Sequence, residues 1–540
     1  MSIKRLILIL LTIFAIAKVI LSLGESVSQP QIQSRLELYQ TNLILHAAEF
    51  QPDKLDLAKV ESSSDFTTAR KALLGNDPYL SAQKQYQKAR KVTQANVSNL
   101  QAKLQQLSPG IKPNSDTDTL NNQIIPIAQA EDVSQQQQQL QKVIDEEKKF
   151  IYELDLKLGI LAAQRGETET ALKRWNDLIE KFEQEERITN ISRTAETLKS
   201  LWSNTSNLSQ DVESQIKQNL DGWFRYRVLI QLTELQEHQN ELSNLQAKEQ
   251  NSAYQAMFKL ALIAGIPALW GILGIGLIIF LLAQLLFKKE QSILAINNSI
   301  RWETPWDGEI VWQVIIVGFF CIGQILLPLF FGLSFGLLRL SPTEFSLRLK
   351  ALYVLSSYII LAFCGIFVLY ISVKKFFPLP KDWFNFQWFS NWSLWGLGGY
   401  LVALPLVLLV SLINQQIWQG QGGSNPLLFL ALQAQDTVAL AIFFFTASVA
   451  APIFEEIIFR GFLLPSLTRY IPVWGSIIVS SLIFAIAHLS VSEVLPLTTL
   501  GIILAFVYTR SRNLLSSILL HSLWNSGTLL SLFILGSGVS

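Results

Sequence analysis

From Ser252 to the end of the chain only 24 of the 85 Asp, Glu, Lys and Arg residues remain, whereas 58 lie between Gly24 and Gln250. Apolar runs near 260–287, 310–338, 351–373, 392–413, 437–454, 473–489, 494–509 and 514–535 follow one another through the charge-poor part. Several reach the ~20 residues that a helix needs to cross a bilayer. The shorter runs are tolerable where they pack inside a bundle and not against lipid. Residues 256–540 are therefore expected to form an all-α polytopic transmembrane bundle of about eight core spans.

A further apolar run, Leu6 to Leu23, follows Lys4 and Arg5. Its length exceeds a typical signal-peptide core, so residues 1–23 read as an uncleaved signal anchor, with a cleaved signal as the alternative. Either way the next segment is exported. Residues 24–255 are rich in Gln, Glu, Lys, Leu and Ala, and apolar residues recur at helical spacing from Tyr152 to Leu161, Ala171 to Phe182 and Trp223 to Leu245. They predict a mostly α-helical extramembrane domain, with a linker over 108–134 and a low-complexity stretch from Gln135 to Gln139. Leu158, Gly159, Gly166, Ala171 and Trp175 match the positions of one tetratricopeptide unit. One such unit is weak evidence, because repeat arrays need roughly three, and a plain helical hairpin or coiled coil is the simpler expectation.

The formal net charge of +1, and 26 basic against 32 acidic residues in the polar block, offer nothing to nucleic acid. The two cysteines, Cys321 and Cys364, both sit in apolar runs, which excludes a disulfide framework and a thiolate zinc site. Lys288, Lys289, Arg301, Lys374, Lys375, Lys381, Arg469, Arg510 and Arg512 fall on the side where Lys4 and Arg5 began, with Arg339, Arg348 and Lys350 dissenting. The positive-inside rule then puts the N-terminus in the cytoplasm and residues 24–255 outside a bacterial cell membrane.

The run Ala450-Ala451-Pro452-Ile453-Phe454-Glu455-Glu456-Ile457-Ile458-Phe459-Arg460-Gly461 places two carboxylates at the cytoplasmic end of an uncharged span. Each would cost ~3 kcal/mol if it faced lipid unpaired. Glu456 and Arg460 are four apart and share a helical face, so they pair. Glu455 points roughly 100° away and is left without that partner. A free glutamate among apolar walls suits acid–base chemistry, the bland reading being an interfacial charge cluster with Arg460 and Arg469. Asp436 reads as an interfacial residue.

Of four histidines, the two in the membrane block fall in late spans: His488, with Phe484 one turn before it as a wall, and His521, with Asn525 one turn after it. By the topology above, Glu455 and Glu456 lie near the cytoplasmic end of 437–454, whereas His488 lies toward the opposite end of 473–489.

These three pieces, Glu-Glu-x-x-x-Arg, Phe-x-x-x-His and His-x-x-x-Asn, resemble the motifs of the CPBP family, the CAAX prenyl endopeptidases and bacteriocin-processing enzymes of the Abi type. The motifs cover about the last 110 residues, within 450–530, and say nothing about 24–255. The resemblance implies that Glu455 and His488 activate a water, that His521 and Asn525 stabilise the oxyanion, and that Glu456, Arg460 and Phe484 support the site. If a zinc were bound, Glu455, His488 and His521 would be its ligands with one position left for water. The His-Glu-x-x-His signature of zinc peptidases is absent, and a metal-independent mechanism is the expectation. No pair of buried aspartates supports an aspartyl mechanism.

The expected function is an intramembrane endopeptidase acting on a membrane-associated protein or peptide. The alternative is a non-proteolytic scaffold or immunity-type protein of the same fold. A transporter would be expected to repeat the charged motif in the other half of the membrane block, and no repeat is present. The 24–255 domain is a candidate for binding protein partners.

Overall fold

The structure is a computed structural model that describes residues 2–27, 29–51, 64–107, 127–184, 189–203, 211–296, 301–341, 344–433 and 436–537. Its principal helices are α1 (Ile3–Ser26), α2 (Gln33–Ala48), α3 (Ser64–Leu74), α4 (Pro78–Leu107), α5 (Ile127–Gln164), α6 (Thr168–Gln184), α7 (Asn190–Trp202), α8 (Val212–Asn219), α9 (Gly222–Leu235) and α10 (Gln239–Lys288). Then come α11 (Gly308–Leu338), α12 (Leu347–Val373), α13 (Trp392–Trp418), α14 (Pro426–Gln433), α15 (Thr437–Leu467), α16 (Val473–Ile486), α17 (Val491–Ser511) and α18 (Leu514–Gly536). No strand occurs among the described residues; Pro30 and Gln421 make an isolated bridge. The architecture is an all-α polytopic bundle, as expected.

Two compact units divide the chain, one made of residues 1–32 and 262–537 and the other of 33–261, and the boundary falls within α10. In the 33–261 unit, α5 and α6 close on each other where Gly159 leaves room for Trp175: a Cβ on that glycine would stand 2.3 Å from the indole nitrogen. Gly166, at φ +81°, takes the left-handed conformation that turns the chain between them. Trp175, Leu198, Leu201, Trp223 and Phe224 are all fully buried in one apolar core. Most of the linker expected over 108–134 lies outside the described residues, and its last part is already the start of α5.

Among the described residues, eight helices are long and apolar enough to cross a bilayer: α1, α10, α11, α12, α13, α15, α17 and α18. The ninth apolar segment, expected over 473–489, is shorter: α16 has 14 residues, ~21 Å at 1.5 Å per residue, against a hydrocarbon core of ~30 Å. One end of this unit gathers its charges. Lys4 and Arg5 pair with Glu309 at 3.0 and 2.7 Å. Arg469 Nη1 donates to the Thr304 carbonyl at 3.2 Å, and Arg512 Nη2 to the Arg301 carbonyl at 3.4 Å. Thr12 on α1 accepts from Trp312 Nε1 at 2.7 Å, so the N-terminal helix is tied to α11 along its length as well as at its end.

The helix carrying the glutamates is 31 residues long, Thr437–Leu467, and extends well past Phe454, where the sequence reading ended it. Glu455 is therefore interior to the span and not at its cytoplasmic end. Two prolines shape α15. Pro452 has no N–H for the Ser448 carbonyl, and the helix widens to π geometry over Thr446–Ala450, Ala451 N–H bonding the Thr446 carbonyl five residues back. Pro465 does the same to Gly461, and Ile457–Leu463 is π-helical. The two carboxylates stand on the α-helical turn Ala451–Glu456 between these widened stretches.

Candidate active site

Glu456 and Arg460 have no exposed side-chain surface, and Arg460 Nη1 donates to Glu456 Oε1 at 2.8 Å. The i,i+4 pairing expected from their spacing is present. Arg460 is held on two further sides: Nη2 donates to the Gly501 carbonyl at 3.2 Å, and its guanidinium lies 4.4 Å from the Phe484 ring centroid. The same Glu456 Oε1 accepts from His521 Nδ1 at 2.9 Å. Glu456 is thus a hub joining α15 to α18, and Nδ1 of His521 carries a proton, since a carboxylate oxygen can only accept.

Glu455 has a different environment. Its side chain keeps 14 % of its surface exposed, and its Oε2 lies 3.8 Å from His521 Nε2, too far for a hydrogen bond. Its Oε1 accepts from the Tyr358 hydroxyl on α12 at 2.7 Å. The two neighbouring carboxylates therefore differ: Glu456 is committed to a buried cation and an imidazole, and Glu455 to one neutral hydroxyl.

His488 follows the end of α16 in a turn where Leu489 adopts φ +57°. Its Nδ1 donates to the Phe484 carbonyl at 2.9 Å, which leaves Nε2 with a free lone pair. Phe484 is the wedge of the site, meeting His488 edge-on at 5.0 Å, His521 at 5.7 Å and Phe459 at 5.4 Å between centroids.

The difference in depth expected between Glu455 and His488 is smaller than the sequence implied. With α15 running on to Leu467, the two residues sit on the arms of one hairpin, 12 residues before Leu467 and 15 after Val473. The arms differ by three residues, ~4.5 Å at 1.5 Å per residue, and Phe459 and Phe484 meet across the hairpin.

Asn525 Nδ2 donates to the Ala447 carbonyl at 2.7 Å. That carbonyl is one the π geometry releases, because Ala451 N–H bonds Thr446 instead. One amide hydrogen of Asn525 is therefore engaged with the backbone of α15. Glu455, His488 and His521 do not assemble as zinc ligands. Among the described residues no three His, Cys, Asp or Glu side chains converge to hold a metal. Asp436 caps α15, accepting from Val438 N at 2.9 Å, and takes a 2.6 Å bond from Arg348 Nε.

Two residues near the site carry no local signal in the sequence. Tyr358 is one phenol in an apolar span, with no motif around it. Glu493, in the first turn of α17, accepts from Asn425 N at 2.9 Å and interacts electrostatically with His488. A polar tip in mid-span was the available clue to Tyr358.

The bundle is that of a polytopic membrane protein, and it holds a buried glutamate–histidine cluster inside a span. Residues 437–527 match the type II CAAX prenyl endopeptidase Rce1-like family. Over 133 residues the chain is 29 % identical to YdiL, a candidate membrane peptidase of Bacillus subtilis, covering 25 % of this chain and 53 % of that protein. Over 137 residues it is 29 % identical to MroQ, a membrane-embedded CAAX protease of Staphylococcus aureus, covering 24 % of this chain and 54 % of that protein. The chain thus spans about half the length of these relatives. No solved structure matches. Over its last spans the chain is thus similar to the CAAX-type membrane peptidases.

Proposed function

We propose that the chain is an intramembrane endopeptidase that hydrolyses a peptide bond in a membrane-associated protein or peptide, with Glu455 as the base. The observation that carries this reading is the asymmetry of the glutamate pair, Glu456 fixed by Arg460 and His521 and Glu455 left available 3.8 Å from His521. A water held between Glu455 and His488 gives a proton to Glu455 as its oxygen bonds to the scissile carbonyl carbon, and the carbonyl π pair moves onto oxygen. His521, anchored through Nδ1, presents an Nε2–H to that oxyanion together with the second amide hydrogen of Asn525. Collapse expels the amine, which takes the proton back from Glu455. Phe484 and the Arg460–Glu456 pair keep both imidazoles in register. Asn525 also fastens α15 to α18 at Ala447, so it has a structural part beside the chemical one.

The gathering of Lys4, Arg5, Arg301, Arg469 and Arg512 at one end supports a cytoplasmic N-terminus and an exported 24–255 domain. The dissenting Arg348 is neutralised by Asp436. The exported helices, with their many Gln and charged surface positions, suit a role in recruiting the substrate protein.

The test expresses wild type, Glu455→Gln and His488→Ala in the same cells and compares their membrane proteomes for accumulating precursors. Both variants should accumulate the same uncut protein. Folded variants that leave every membrane protein unchanged relative to wild type would remove the peptidase reading.

A further inference from the structure

Tyr358 lies on α12, outside the 437–527 stretch that matches the family. Its hydroxyl makes the one hydrogen bond that Glu455 receives among the described residues, at 2.7 Å to Oε1. A carboxylate in an apolar span needs its lone pairs occupied. A carboxylate meant to take a proton also needs one oxygen left open. The arrangement at Glu455 meets both conditions: Tyr358 occupies Oε1, and Oε2 is turned to the side of His521.

The placement of Tyr358 is fixed by packing on its own helix face. Gly365 stands seven residues later, two turns along the same face. A Cβ at Gly365 would lie 2.8 Å from the Phe454 ring and 2.9 Å from the Gly318 carbonyl, so α12 approaches α11 and α15 as closely as glycine allows. Phe454 in turn meets the Tyr358 ring edge-on at 6.1 Å. The contact made by Gly365 thus sets the distance at which the Tyr358 hydroxyl, two turns away, reaches the residue after Phe454.

We propose that Tyr358 is a positioning residue for the hydrolytic reaction: it binds Oε1 of Glu455 and so presents Oε2 as the proton acceptor. The proposal rests on the reading of Glu455 as the base. It makes the site a product of three helices, α12 supplying the orienting hydroxyl, α15 the base and α18 the imidazole. Phenylalanine at 358 retains the ring and its contact with Phe454 and removes only the hydroxyl.

The experiment uses full-length protein in lipid bilayers and two readouts. Infrared difference spectra identify the carboxyl band of Glu455 by its loss in Glu455→Gln, and Tyr358→Phe is then compared with wild type. The cleavage rate of the precursor that accumulates in Glu455→Gln cells is measured in parallel by pulse–chase.

The band is expected to shift in Tyr358→Phe, and cleavage to slow by about tenfold or more, the usual worth of a hydrogen bond to an ionised group. Gly365→Ala, which keeps the hydroxyl but moves its helix, should shift the band too, and it carries the test if Tyr358→Phe is not recovered folded. An unmoved band or an unchanged cleavage rate in a folded Tyr358→Phe protein overturns the proposal. A Glu455→Gln protein that still cleaves at the wild-type rate removes the base reading instead, so the two failures are told apart.

Discussion

Glu456 and Arg460 offer a quantitative test of how the membrane unit tolerates charge. Glu456→Gln removes the counter-ion of a guanidinium with no exposed surface, leaving Arg460 its bond to the Gly501 carbonyl and its place over Phe484. Breaking a buried pair from one side costs about 3–5 kcal/mol, because the remaining charge stays desolvated. Glutamine keeps one acceptor oxygen for Arg460 or His521 but not the charge, so about 3 kcal/mol is expected. Arg460→Met should cost a similar amount, since Glu456 then keeps His521 at 2.9 Å but loses its guanidinium. The double variant, free of both charges, should be no worse than either single one, a coupling of about 3 kcal/mol between contacting residues. Unfolding of the full-length protein in mixed micelles with increasing SDS, followed by tryptophan fluorescence, gives all four stabilities. Single variants within about 1 kcal/mol of wild type, or a double variant equal to the sum of the singles, would refute the argument that the pair is buried and mutually dependent.

Asn525→Ala should lower stability by about 1–3 kcal/mol by leaving the Ala447 carbonyl without a donor. A variant that loses cleavage but unfolds like wild type would show that the α15–α18 clamp contributes nothing. In the 33–261 unit, burial pushes the Glu147 carboxyl above its ordinary range, against the opposing pull of Arg35. With the folded pKa above the unfolded value, the protonated form is favoured by folding, and stability falls as pH rises from the unfolded value of about 4.3 through the folded one. Glu147→Gln should flatten that slope and raise protection near neutral pH. Hydrogen exchange of segment 144–151 in the full chain, corrected for intrinsic rates, checks this.

The Glu456–Arg460 pair and the shared face of Phe484 and His488 were legible because both are short-range consequences of helical periodicity. The depth of the site was not. A hydropathy reading stops a span at its first charges, and here Glu456 and Arg460 are interior because they pair with one another and with His521. Moving the end of that span from Phe454 to Leu467 is what brings Glu455 nearer to the depth of His488. Tyr358 was invisible for a different reason: its partner lies 97 positions away in sequence, on another helix. The target of Asn525 depends on a carbonyl freed by Pro452, and nothing near Asn525 announces it. In the polar block, Gly159, Gly166 and Trp175 did signal a close helical hairpin, since a glycine opposite a tryptophan is a local statement about space.

The shortness of α16 has a consequence for solvent. Hydrolysis under lipid requires water where the bilayer supplies none. A helix that stops after 14 residues leaves the remaining thickness beyond His488 to be filled by a turn. That turn is lined with hydroxyls and amides: Ser490 and Ser492 donate to the Gly422 and Gly423 carbonyls, Asn414 to the Ser492 carbonyl, and the Val491 N–H to Ser26 at the end of α1. Glu493 stands at its far side, bound by the Asn425 N–H. A wall of groups that already exchange hydrogen bonds with one another can exchange them with passing water at little cost. The missing third of a membrane crossing thus leaves His488 beside a turn of polar groups, while Glu456 and Arg460 keep no exposed side-chain surface.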